Sequence, residues 1–284
     1  MLGMTANDTS AGNAAQIAFW NAIAGQTWVA FQTQLDRQLE PLGAKAMGVL
    51  APAPGERILD IGCGCGHTSV ALSARVGISG AVLGVDISEP MLAVATSRSG
   101  APSAAFRLAD AQTDDLGEAA FDGAFSRFGV MFFIDPVAAF ANIRRALKPA
   151  GRLAFVCWRP LGENPWMYVP LEAARPLLPP LQPSDPTAPG PFAFADPARV
   201  RVILSEAGFS AITMTPFDTR IGSGGMEETL ELCRRVGPLG AALRENPDRA
   251  EAALAVVREA LAAYLTSEGV LMPAAVWIVS ATAA

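Results

Sequence analysis

The stretch Arg57-Ile58-Leu59-Asp60-Ile61-Gly62-Cys63-Gly64-Cys65-Gly66-His67-Thr68 constrains the fold of this chain more than any other. An apolar, β-branched run that ends in an acid and passes into glycines at alternate positions predicts a buried strand turning sharply into a helix that starts near His67. Gly62, Gly64 and Gly66 carry no Cβ, so backbone N–H groups and the helix N-terminus can approach a ligand closely. Spacing narrows the choice of ligand. A dinucleotide fingerprint counted from Gly62 needs its third glycine where His67 stands. A phosphate loop needs a lysine beside Ser or Thr, and the only lysines here are Lys45 and Lys148. The motif that remains is Asp-x-Gly-x-Gly-x-Gly.

Two further acids follow in step. Ala81–Asp86 reads as a second strand, with Asp86 placed to accept hydrogen bonds from ribose hydroxyls. Ile87, the helix start at Ser88 and Pro90, and Met91 on the first turn come next. Ala104–Ala109 reads as a third strand that delivers Asp110-Ala111-Gln112. A fourth, Phe121–Ser126, continues through Arg127-Phe128-Gly129-Val130-Met131-Phe132-Phe133. Asp135-Pro136 open a helix that ends around Lys148-Pro149-Ala150-Gly151, before a fifth strand, Arg152–Trp158. Such alternation predicts an α/β fold, and Asp60, Asp86 and Asp110 all stand at strand carboxyl ends, the edge where open parallel sheets bind ligands.

The glycine motif, the later acids and the joint Leu147-Lys148-Pro149-Ala150-Gly151-Arg152 resemble, in order and over residues 57–158, the class I S-adenosylmethionine-dependent methyltransferases. The pattern is most similar to the small-molecule branch that includes the ubiquinone/menaquinone C-methyltransferases. The resemblance implies a Rossmann-like, seven-stranded, mostly parallel sheet with helices on both faces, its last two strands paired antiparallel at one edge. It also implies S-adenosyl-L-methionine as cofactor, with the glycine loop under the methionine part, ribose on Asp86 and the adenine amine on Asp110. The expected cofactor residues are Trp28, Asp60, Gly62, Gly64, Gly66, His67, Thr68, Asp86, Ile87, Met91, Asp110, Ala111, Gln112, Ser126 and Arg127.

The flanks are read more coarsely. Residues 14–50 read as N-terminal helices with a break near Pro41-Leu42-Gly43, and Trp28, Phe31, Leu35, Leu39, Leu42 and Ala46 form one apolar face. That face packs on the core, or else Trp20, Gln26 and Trp28 close over the cofactor. Residues 159–197 hold 11 of the 22 prolines. A helix from Asp196-Pro197 to Ala207-Gly208 and a strand at Ser210–Phe217 follow. The segment 218–273 reads as two or three helices, among them Met226–Val236 and Arg249–Leu265, before a last strand, Ala275–Ala281. The expectation is one methyltransferase domain over 1–284, with a cofactor core at 55–158 and cap or lid insertions at 159–196 and 218–273. The other reading of 218–273 is an oligomer interface, such as that of a homodimer, or peripheral packing.

Composition supplies exclusions. With 21 basic and 27 acidic residues the chain carries −6, which argues against nucleic acid as a partner. Met1–Ala15 lacks the charged start and apolar core of a secretion signal, and no membrane span is indicated, so the expected location is cytoplasmic. Cys63-x-Cys65, two isolated cysteines and a single histidine offer no metal-ligand spacing.

The expected reaction is transfer of a methyl group to a small, largely apolar molecule by in-line displacement, with Met131, Phe132 and Phe133 lining the acceptor pocket. His67, Glu163 and Tyr168 are the candidate bases, none singled out. An NAD-dependent oxidoreductase would also use Asp86 but has no use for Asp110. A non-catalytic, methyltransferase-like binding or regulatory protein would keep the same motifs.

Overall fold

The computed structural model describes residues 9–98, 102–180 and 185–284. Part of the Met1–Ala15 reading, residues 1–8, lies outside the described residues.

Three helices precede the sheet: α1 (Thr9–Asn21), α2 (Ile23–Ala30) and α3 (Gln32–Leu50). The chain interrupts its helices at Ala22 and Phe31 and runs unbroken through Pro41, against the expected break. Pro41 forfeits one backbone hydrogen bond, but Leu35, Leu39, Leu42, Ala46, Met47 and Leu50 are all buried against the sheet. That packing outweighs the single lost bond.

The strands then alternate with helices: β1 (Arg57–Ile61), α4 (His67–Val76), β2 (Ala81–Asp86), α5 (Glu89–Ser97), β3 (Ala104–Leu108), β4 (Phe121–Arg127), α6 (Pro136–Ala146) and β5 (Leu147–Trp158). These strands are mutually parallel, in the order β3-β2-β1-β4-β5. Ile58, Leu59, Ala124, Phe125, Phe155 and Val156 are fully enclosed. Burial on both faces is why these segments read as continuous apolar runs.

Beyond β5 lie α7 (Pro165–Ala174), α8 (Pro197–Glu206), β6 (Phe209–Ile221), α9 (Met226–Arg235), α10 (Gly237–Glu245), α11 (Ala250–Leu261), a short hairpin β7 (Leu265–Thr266) and β8 (Gly269–Val270), and β9 (Met272–Ala283). β9 inserts antiparallel between β5 and β6, completing the expected seven-stranded, mostly parallel sheet with its antiparallel edge. The β6–β9 pair is longer than expected, because Asp218-Thr219-Arg220 continue the ladder to Ile221↔Met272. β6 is the edge strand, mostly exposed, so polar residues can extend it.

Residues 218–273 also depart from an all-helical reading. They hold three helices, and α11 ends at Leu261, after which the chain turns into the β7–β8 hairpin. Leu171 and Ala174 of α7 share a second apolar core with Leu230, Leu239, Leu243, Val257 and Leu261 of α9–α11. The two inserts thus pack on one another. Among the described residues no helix is long and apolar enough to cross a membrane.

Candidate functional site

A cavity of about 780 Å³ opens at the carboxyl ends of β1, β2 and β4 and is flanked by α1, α2 and the α9–α10 joint. That size is in the range of small-molecule sites, roughly 300–1,000 Å³.

The glycine turn forms its floor, but its three glycines serve different ends. All have positive φ, at 64°, 55° and 82° for Gly62, Gly64 and Gly66. A Cβ on Gly62 would lie 2.8 Å from Gly129 Cα, so the loop after β4 requires it bare. A Cβ on Gly66 would lie 2.9 Å from Ala95 Cβ and 3.0 Å from Phe106, so α5 and β3 require that one. Gly64 alone of the three has room for a Cβ, which would meet nothing closer than Met91 Sδ at 3.8 Å and Trp28 Nε1 at 4.0 Å. Gly62 and Gly64 line the cavity, whereas Gly66 does not.

Asp86 fastens this loop. Its Oδ2 accepts from Gly64 N–H at 2.8 Å and its Oδ1 from Ser88 N–H at 2.9 Å. Each oxygen keeps further acceptor capacity toward the cavity that it lines. Burial raises the pKa of Asp86 above the ordinary carboxylate value, against the hydrogen bonds from Ser88 and Gly64. Asp110 lies on the same wall, its pKa also raised by burial. Its Oδ1 accepts from Gln112 N–H at 2.8 Å and its Oδ2 from Asn13 Nδ2 at 2.5 Å. Ile87, Met91, Ala111 and Gln112 join them, with Trp28 and Thr68.

Other expected site residues turn away. Asp60 is fully enclosed and outside the cavity, its Oδ2 accepting from Thr68 Oγ1 at 2.7 Å and Ser69 Oγ at 2.6 Å. It ties β1 to the first turn of α4, and burial pushes its carboxyl up to about 6 despite those bonds. Ser126 is equally enclosed, donating to the Ile61 carbonyl at 2.8 Å and accepting from Gly129 N–H at 3.2 Å. Arg127 does line the cavity, with its Nη2 2.9 Å from Asp36 Oδ1. Gly43 makes room for it, since a Cβ there would lie 2.9 Å from Arg127 Cδ.

His67 sits outside the cavity, its Nδ1 3.3 Å from Arg127 Nη1 and 3.9 Å from Asp36 Oδ1. Burial holds its pKa below the ordinary value, with Asp36 opposing and Arg127 and Arg98 adding to the shift. Glu163 is ion-paired with Arg159, Tyr168 is 40% exposed, and neither borders the cavity. The three candidate bases are therefore not brought to the site.

The remaining wall is aromatic. Phe128 takes φ 66°, rare for a bulky residue, and stacks on Trp158 at 4.2 Å and 12°. Trp166 lies 5.0 Å from Trp158, and Trp20 meets Phe132 edge-on at 5.0 Å. Phe133 and Phe192 complete this side.

Several lining residues carried no sequence signal: Asn13, Phe19 and Ile23 from α1–α2, and Arg235, Pro238, Ala241 and Arg244 from α9–α10. α1 is pinned by Asn21, whose Nδ2 donates to the Ile87 carbonyl and whose Oδ1 accepts from Glu89 N–H, both at 2.8 Å. Ser88 Oγ adds a bond to the Trp20 carbonyl at 2.8 Å, and Gly25 allows that approach. Among the described residues no group of three or more His, Cys, Asp or Glu side chains is placed to hold a metal ion.

Known proteins resemble this chain in sequence and in fold. Residues 58–151 match the family model described as a methyltransferase domain. An O-methyltransferase, cnsE, of Penicillium expansum is 32% identical over 63% of this chain and 60% of its own length. The aklanonic acid methyltransferase DauC of Streptomyces sp. (strain C5) is 33% identical over 40% of this chain and 54% of its own. The chain thus spans a little over half the length of these curated relatives. Among solved structures, the YcgJ protein of Bacillus subtilis superposes with a TM-score of 0.54 at 19% identity, over 84% of this chain and 98% of that one. At that identity the likeness establishes the fold. The resemblance read from the glycine turn is borne out.

Proposed function

We propose, for a chain whose core is a class I methyltransferase domain, that it moves the methyl group of S-adenosyl-L-methionine to a small, largely apolar acceptor. The observation that carries this reading is the convergence of Gly64, Asp86 and Asp110 on one cavity. The residues fit an adenosyl group. Gly64 provides a cradle that a Cβ would fill, Asp86 has unused lone pairs for two ribose hydroxyls, and Asp110 can accept from the adenine amine between Ile87, Met91 and Ala111. Asn13 would share or yield its place on Asp110. Arg127 lines the same cavity and suits the carboxylate of the methionine part. The group supplies, when bound, a methyl carbon activated by a sulfonium.

The chain's own contribution is to bind, align and exclude water. Holding two reactants aligned in a closed site is worth up to roughly 7–11 kcal/mol in favourable systems. Among the described residues no histidine, tyrosine or acid other than Asp86 and Asp110 borders the cavity. An acceptor whose attacking atom is already ionised or acidic, such as a phenol or enol, needs no base from the protein. The body formed by α7 with α9–α11 acts as a lid, since its apolar side chains form a core of their own and it borders the cavity through Arg235–Arg244. The four free cysteines fit a reducing, cytoplasmic setting.

Two assays test this. Calorimetry should show S-adenosylhomocysteine binding that Asp86→Ala weakens by about 1.5–3 kcal/mol, the range for hydrogen bonds to a charged group. A panel of phenols, amines and polyketides, scored for S-adenosylhomocysteine release, should contain an acceptor. Binding without any turnover would favour a regulatory protein, and NAD binding in place of S-adenosylhomocysteine would overturn the reading.

A further inference from the structure

The cavity's charged side chains fall into two groups. Asp86, Asp110 and Arg127 belong to the cofactor end, and the charge of Arg127 is answered by Asp36 at 2.9 Å. Arg235 and Arg244 belong to the cap, and among the described residues no acid lines the cavity besides Asp86 and Asp110. Arg235 is engaged with Glu231 on its own helix, its Nε 3.0 Å from Oε1. Arg244 has no carboxylate within ion-pairing distance among the described residues. Its Nη1 donates instead to the Arg235 carbonyl at 2.8 Å, which fixes the guanidinium across the joint between α9 and α10. This exposed cation lines the same cavity as Trp158, Trp166, Phe132, Phe133 and Phe192.

A planar ring system suits walls of this kind, because offset and edge contacts with aromatic side chains favour it. A guanidinium held beside such walls is best answered by a carboxylate, which it can grip through two parallel hydrogen bonds. Arg244 is itself exposed at the rim of the cavity, so solvent screens part of that attraction and the aromatic walls supply the rest of the grip. We propose that the acceptor is an aromatic acid, an apolar ring system whose carboxylate is anchored by Arg244, with Arg235 adding to the local positive field. This rests on the methyl-transfer reading and specifies the substrate class for the same cavity. Arg244 is a specificity-determining residue in this account and takes no part in moving the methyl group.

The test uses the full chain saturated with S-adenosylhomocysteine and titrated calorimetrically with 3-hydroxy-2-naphthoate and with its neutral carboxamide. The acid should bind about two- to fivefold more tightly, as an ion pair at an exposed guanidinium implies. Raising NaCl should erode that advantage. Arg244→Gln should bring the acid to the level of the amide, and Arg244→Lys should keep part of the difference. Arg175→Gln, an exposed substitution outside the cavity, should leave the preference intact. Equal affinities in the wild type, no binding of either probe, or a preference that survives Arg244→Gln would each overturn the proposal while leaving the cofactor reading standing. Failure of S-adenosylhomocysteine itself to bind would bring down both.

Discussion

Asp60 and Asp86 end neighbouring parallel strands, yet only Asp86 faces the cavity. Asp60 is committed to Thr68 and Ser69, and that commitment has a measurable consequence. Its folded pKa of about 6 stands above the ordinary 3.8, so the folded state favours the proton. The associated stability is fully present below pH 3.8 and is lost as the pH rises through about 6, a total of about 3 kcal/mol. Asp60→Asn mimics the neutral form. Its unfolding free energy should therefore gain on the wild type by up to about 3 kcal/mol between pH 4 and 7 in denaturant titrations, and parallel pH profiles would contradict this. His67 gives the opposite expectation. Held below its ordinary pKa and outside the cavity, it is neutral at pH 7, so His67→Asn should leave the pH dependence of turnover between about 6 and 8 unchanged. Loss of a titration step in that variant would make it a base. The roles of single residues were only half legible in the sequence. A bare position looks the same whether it spares room for Gly129, as Gly62 does, or for a ligand, as Gly64 does.

Elements were more legible where burial on both faces writes a continuous apolar run. β1, β2 and β4 were bounded to within a residue for that reason, whereas the edge strand β6, carrying Asp218 and Arg220, was cut short. The helices before the sheet were recognisable from their spacing, but their joints at Ala22 and Phe31 depend on what they pack against. The β7–β8 hairpin and the shared core of α7 with α9–α11 depend on residues distant in sequence, which periodicity cannot register. That shared core yields an element-scale prediction. Leu261, fully buried among the cap helices, should cost about 2–5 kcal/mol on truncation to Ala. Because it lies in the cap core, Leu261→Ala should raise the acceptor KM while calorimetry records unchanged S-adenosylhomocysteine affinity. Equal loss of both would mean that the cap and the cofactor floor are one cooperative unit.

At the scale of the whole molecule, a parallel sheet presents one end of its strands, two inserts close over that end, and α1 is stitched across it through Asn13 and Asn21. The methyltransferase-domain family model matches residues 58–151, from β1 into β5, and leaves both inserts outside the match. The most direct measurement is a crystal structure of the protein with S-adenosylhomocysteine. Ribose hydroxyls should lie on Asp86, the adenine amine within hydrogen-bond reach of Asp110, and the sulfur should face the aromatic half bounded by Phe128 and Trp158. A ligand lodged away from the Gly64 turn, or one that leaves Asp86 and Asp110 untouched, would contradict this placement.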